Sequence, residues 1–100
     1  MKFRVVISNE TERLIWQQAE YLAEQSSWLA ATNWLKGLYD KIETLEMFPG
    51  RYPIAPESRD CLFEIRMLIY GDYLILFRIN NDVVEVLHFR HGARKQSSSQ

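Results

Sequence analysis

The sequence predicts an α+β fold in the order β-α-α-β-β-β, with a helix hairpin packed on one face of a curved antiparallel sheet. Three observations lead to it. Trp28, Ala31, Leu35, Leu38, Ile42 and Leu45 recur at steps of three and four, the spacing of one buried helix face. Leu62–Ile69, Tyr73–Ile79 and Val83–Phe89 are three β-rich runs, separated only by the turn compositions Tyr70-Gly71-Asp72 and Asn80-Asn81-Asp82. Links that short permit only antiparallel neighbours. A meander of this kind must bury one face, and the helix hairpin is the cover the chain supplies.

Each element follows from local pattern. Lys2 to Ile7 reads as a first strand, with Phe3, Val5 and Ile7 alternating against Arg4 and Val6. Asn9 with Glu12 three positions on fits a capping box, so a first helix is predicted from Glu10 to Gln25. Leu14, Ile15, Ala19, Leu22 and Ala23 give it an apolar side. Ser26-Ser27 breaks that helix and can cap a second one from Trp28 to Met47. So short a break predicts an antiparallel hairpin. All three prolines fall between Phe48 and Pro56, which reads as a loop that packs through its aromatic and aliphatic residues. Residues 1–95 are expected to form a single domain and the polar stretch 96–100 a disordered tail.

Composition narrows the function. The chain has 100 residues, 47% hydrophobic and 25% charged, which is globular rather than disordered. Twelve basic and 13 acidic side chains leave a net charge of −1, against a protein that mainly grips a polyanionic backbone. A lone cysteine, Cys61, can form no internal disulfide, and a reducing, cytoplasmic setting is expected. The start lacks the apolar stretch of a signal peptide, and no run is long enough to cross a bilayer. There is no internal repeat, phosphate-binding loop, dinucleotide fingerprint or nucleophile elbow. His88 and His91 lack the further ligands that zinc requires, so neither a metal nor another cofactor is expected. Cys61 is read as a half-buried, unreactive cysteine.

The candidate interaction residues come from strand alternation. In the second strand Phe63, Ile65, Met67 and Ile69 are taken as the core face, which sends Glu64 and Arg66 to the open one. In the third, Tyr73, Ile75, Phe77 and Ile79 face the core, leaving Leu74, Leu76 and Arg78 open. The fourth is ambiguous, because Val84 and Val86 compete with Val83, Leu87 and Phe89; His88 and Arg90 share a side. The most basic stretch runs from Leu87 to Lys95 and contains Arg90, Arg94, His88 and His91. With Arg66 and Arg78 it could bind an acidic segment, or simply be solvated charge that discourages edge pairing. An apolar strip of Leu74 and Leu76 rimmed by cations would suit an acidic, amphipathic peptide. Trp28 sits on the predicted core stripe, whereas Trp16 and Trp34 read equally as packed residues or as surface anchors.

Three stretches in order carry a resemblance: Leu45-Glu46-Met47-Phe48-Pro49, the run from Glu64 to Ile79, and the ending Val86-Leu87-His88-Phe89-Arg90-His91-Gly92-Ala93-Arg94. From Phe3 to Arg94 the chain resembles the RelE/ParE superfamily of toxins from bacterial type II toxin–antitoxin systems, of the plasmid-stabilisation type. RelE-like members cut messenger RNA in the ribosomal A site, and ParE-like members poison DNA gyrase. The resemblance implies a small cognate antitoxin whose C-terminal segment wraps the toxin in a hetero-oligomer.

Within that resemblance the ParE-like reading is favoured. A RelE-like ribonuclease would use Arg66, His91 and Arg94 as the catalytic set, with cations stabilising the phosphorane and an acid–base pair moving protons. The arginine that many such nucleases carry after the tyrosine of the third strand is Leu74 here, and a later tyrosine is Phe77. The His91-Gly92-Ala93-Arg94 ending is similar to the ParE branch. Antitoxin or target binding is then assigned to Arg66, Leu74, Leu76, Arg78, His88, Arg90 and Arg94. A degenerate toxin that only binds its antitoxin is the remaining alternative.

Overall fold

The computed structural model describes residues 2–92. Strand β1 (Arg4–Ile7) leads into helix α1 (Asn9–Gln25) and helix α2 (Trp28–Glu43), followed by strands β2 (Arg66–Tyr70), β3 (Tyr73–Asn80) and β4 (Val83–His91). The β-α-α-β-β-β order is as predicted. Ser8, not Asn9, caps α1: its Oγ accepts the Thr11 amide at 3.1 Å. Ser27 caps α2 as expected, accepting the Ala30 amide at 3.0 Å. Helix α2 stops short of Met47 and tightens into a 3-10 turn at Thr44–Glu46, which keeps Leu45 pointed into the core.

The sheet order is β1-β4-β3-β2. The meander β2-β3-β4 is antiparallel as predicted, but β1 joins β4 in parallel, so the sheet is mixed. The two helices and the meander separate β1 from β4 in sequence, and a connection that long leaves the strand direction free. Two-residue links join the strands, with Gly71 at φ +58° and Asn81 at φ +58°; glycine and asparagine tolerate this left-handed region best.

One face of the sheet packs on the hairpin. Ile15, Leu38, Ile42 and Leu45 meet Leu68, Ile75, Phe77, Val84, Val86 and Phe89 in the main core. Trp34 enters this layer rather than the surface: its ring lies 5.6 Å from Tyr73 and 5.9 Å from Phe89. Trp28, assigned inward by the stripe, is instead 69% exposed. It occupies the first turn of α2, and the nearest buried position of that helix is Ala31. Cys61 is exposed rather than half-buried, because it follows the 3-10 turn Pro56–Asp60 on the surface loop.

Gly37 sets how closely α2 approaches β2. A Cβ there would sit 2.2 Å from the Tyr70 hydroxyl, which donates a hydrogen bond to the Trp34 carbonyl at 3.0 Å. Gly37→Ala gains up to about 1 kcal/mol of helix propensity. It forces Tyr70 aside, and overpacking of this kind costs about 1–3 kcal/mol. Net destabilisation is therefore expected in denaturant melts, and Gly37→Ala in a Tyr70→Phe background should be less harmful. Leu38→Ala should cost about 2–5 kcal/mol in the same assay, as for other fully buried leucines.

A cationic and apolar sheet face as the candidate site

The face turned away from the helices is built by the odd half of β2 and the even half of β3. Register pairs Arg66 with Phe77, Leu68 with Ile75 and Tyr70 with Tyr73 on the helix side. Met67 pairs with Leu76 and Ile69 with Leu74 on the far side. The predicted faces of β2 are therefore exchanged. The strand is apolar on both sides, so alternation alone could not choose; packing of Leu68 on Ile75 in the main core did. Arg66 consequently does not join Arg78. It reaches over the sheet edge, donating to the Tyr52 carbonyl at 2.6 Å and to Glu64 Oε1 at 3.0 Å.

In β4 the pairing shifts by one residue: Leu76 opposes His88, while Phe77 opposes Val86. Leu87 is the extra residue of a β-bulge. Val84, Val86 and Phe89 thus all face the helices, and Leu87 joins the far side, which is why simple alternation was ambiguous here. Arg90 pairs with Leu74 and His88 with Leu76, so the two basic residues share a side, as alternation predicts, and that side is the far face.

That face is only partly open. The loop after the 3-10 turn Pro49–Arg51 lies across it and donates Ala55 and Ile65, which bury Leu76 to 3% exposure in a second apolar cluster with Met67, Leu74 and Leu87. Leu76 therefore has almost no surface left for a partner. The loop is pinned by backbone bonds from Ala55 to Ile65 and from Met67 to Pro53. A partly buried ion pair also holds it: Arg90 Nε donates to Glu57 Oε2 at 2.6 Å. Phe63 lies over the Arg78 guanidinium at 4.1 Å, and Arg78 approaches Glu85 at 3.5 Å. What remains accessible is Ile69, at 56% exposure, the partly covered Leu74 and Arg78, and the exposed His88. Ile69 was missed in the sequence because alternation had placed it in the core.

Of the nuclease-like set, Arg66 and His91 stand apart: Arg66 lies beside Phe77, midway along β3, and His91 beside Tyr73 at its start. Four residues of strand separate them, about 13 Å along the sheet, with β3 itself between. Arg66 is held instead by the Tyr52 carbonyl and Glu64. Arg94 lies outside the described residues. His91 borders a cleft between α1 and the end of β4, with Leu14, Gln17, Tyr21, Tyr73 and Arg90.

The family's sequence profile, described as the ParE toxin of the type II toxin-antitoxin system, parDE, matches residues 5–96. The chain belongs to the ParE toxin family. Its fold is shared with a chain of a chromosomal ParDE TA system from P. aeruginosa, with a TM-score of 0.76 at 9% identity over 90% of this chain and 96% of that one. A chain of an archaeal RelE-RelB complex from Pyrococcus horikoshii OT3 superposes with a TM-score of 0.54 at 19% identity, covering 94% of this chain and 99% of that one. No curated protein matches the sequence. Among the described residues of this ParE-family chain, no helix is long and apolar enough to cross a membrane.

The Glu57–Arg90 pair makes the loop's hold on the sheet pH-dependent. Burial pushes the Glu57 carboxyl up, but the Arg90 hydrogen bond, its own backbone amide and the charges of Arg90 and His88 outweigh this and leave it below the ordinary carboxylate value. A carboxyl lowered in the folded state contributes stability above its unfolded pKa and loses it as pH falls through the folded value. Acidification below the ordinary carboxylate range should therefore loosen the loop, read as faster amide exchange at Ala55 and Ile65. Glu57→Gln should show that fast exchange already at pH 7.

Proposed function

We propose that the protein is a ParE-like toxin that acts by binding DNA gyrase in the cytoplasm and is neutralised by a cognate antitoxin in a hetero-oligomer. The observation that carries this reading is the separation of Arg66 from His91, which leaves the ParE-family fold with interaction surfaces rather than a convergent phosphodiester-cleaving group. The antitoxin is assigned to the far face of the sheet. Ile69 and Leu74 supply apolar contact there, and Arg78 and His88 supply a basic rim. An acidic amphipathic segment would be steered by the rim and held by the apolar strip.

Purified protein is expected to inhibit gyrase supercoiling or to promote gyrase-linked DNA breaks, and to leave messenger RNA on translating ribosomes uncut. Codon-positioned cleavage abolished by Arg66→Ala and by His91→Ala would instead establish the ribonuclease reading. Inactivity in both assays with antitoxin binding intact would mark a toxin that only binds its antitoxin. For the antitoxin face, Ile69→Asp with His88→Glu should weaken the complex at least tenfold by calorimetry. Arg78→Ala should cost about 1–3 kcal/mol if its guanidinium bonds the acidic segment. Unchanged affinity in both variants would place the antitoxin elsewhere.

A further inference from the structure

The outer end of the helix hairpin carries a second interaction surface of opposite character. Trp28 and Leu29 open α2 there at 69% and 70% exposure. Trp28 borders a shallow groove with Glu20, Ala23 and Glu24 of α1. No lysine or arginine occurs between Arg13 and Lys36, so the charges along this part of the hairpin are all acidic. Ala19 and Ala31 are the buried positions of the two helices nearest this end, so core packing already has its contacts and does not draw Trp28 or Leu29 inward. An exposed tryptophan beside an exposed leucine is the composition of an interface anchor rather than of a solvated helix end.

Charge decides the occupant. The sheet face presents the exposed His88 and the partly covered Arg78, whereas the hairpin tip presents only acidic charge, so an acidic segment suited to the first is repelled by the second. The tip fits a basic surface with an apolar pocket for Trp28. Enzymes that grip DNA present such cationic surfaces, because they neutralise phosphates along the duplex. We infer that the Glu20–Glu24–Trp28–Leu29 tip is the surface by which the toxin engages a basic, DNA-facing surface of its target enzyme, separate from the antitoxin face. This rests on the gyrase reading proposed above.

The test compares the full-length chain with Trp28→Ala/Leu29→Ala and with Glu20→Lys/Glu24→Lys in gyrase supercoiling assays, with antitoxin affinity measured in parallel. The substituted side chains are exposed, and thermal melts should coincide with the parent. Both variants are expected to require at least tenfold more protein for half-inhibition, while antitoxin affinity stays within twofold. Inhibition by the parent should weaken as salt rises. Parent-like inhibition by both variants overturns the assignment of the tip and leaves the gyrase reading standing. Lost antitoxin affinity with inhibition retained also overturns it, giving the tip to the antitoxin. No inhibition by the parent overturns the gyrase reading itself, and this assignment with it.

Discussion

Strand β4 holds one more residue between Val86 and His88 than the stretch of β3 opposite, and both faces of the sheet depend on that bulge. Before it, Val84 and Val86 face the helices; after it, Phe89 does so again, although strict alternation from Val86 would have turned it outward. Leu87, released to the other side, completes the second apolar cluster with Ala55, Ile65 and Leu76. Without the bulge, either Phe89 would leave the contact it makes with Trp34 and Tyr73, or Val86 would leave Phe77. The bulge also adds local twist, in keeping with a sheet that wraps around two helices.

Burial on both faces has a functional consequence. A sheet covered only by the hairpin would expose Leu74, Leu76, Leu87, Met67 and Ile69 together, a surface prone to indiscriminate association. The loop from Pro53 to Ile65 removes Leu76 from solvent and leaves a narrower strip beside His88 and Arg78. The hold combines strand-like backbone bonds with the Glu57–Arg90 pair, whose charges are largely withdrawn from water. Breaking one member of such a pair leaves the other buried without its partner, so the loop is held against stepwise loss of its contacts.

Charge is unevenly distributed within the near-neutral total. On the sheet face Arg78 and Arg90 are paired with Glu85 and Glu57, whereas the hairpin tip carries Glu20 and Glu24 beside Trp28 with no lysine or arginine between Arg13 and Lys36. A net charge of −1 says nothing about local fields.

The sequence alone determined the element order, both helix caps to within a residue, the two tight turns and the inward face of α2 from Ala31 to Leu45. These rest on local chemistry: side-chain oxygens at helix starts, a glycine and an asparagine where φ is positive, and periodicity over several turns. It also carried the family likeness. Tertiary structure decided what local pattern leaves degenerate. β2 is apolar on both sides, so only its register with β3 sent Arg66 to the helix side and Ile69 to the surface. The parallel direction of β1 depends on a connection too long to constrain it. Trp28 obeys the helical period but is exposed in the first turn of α2, and Trp34 breaks the clean stripe yet meets three aromatic rings. Periodicity names the side of a helix that faces inward; only the packed neighbours decide whether anything is there to meet it.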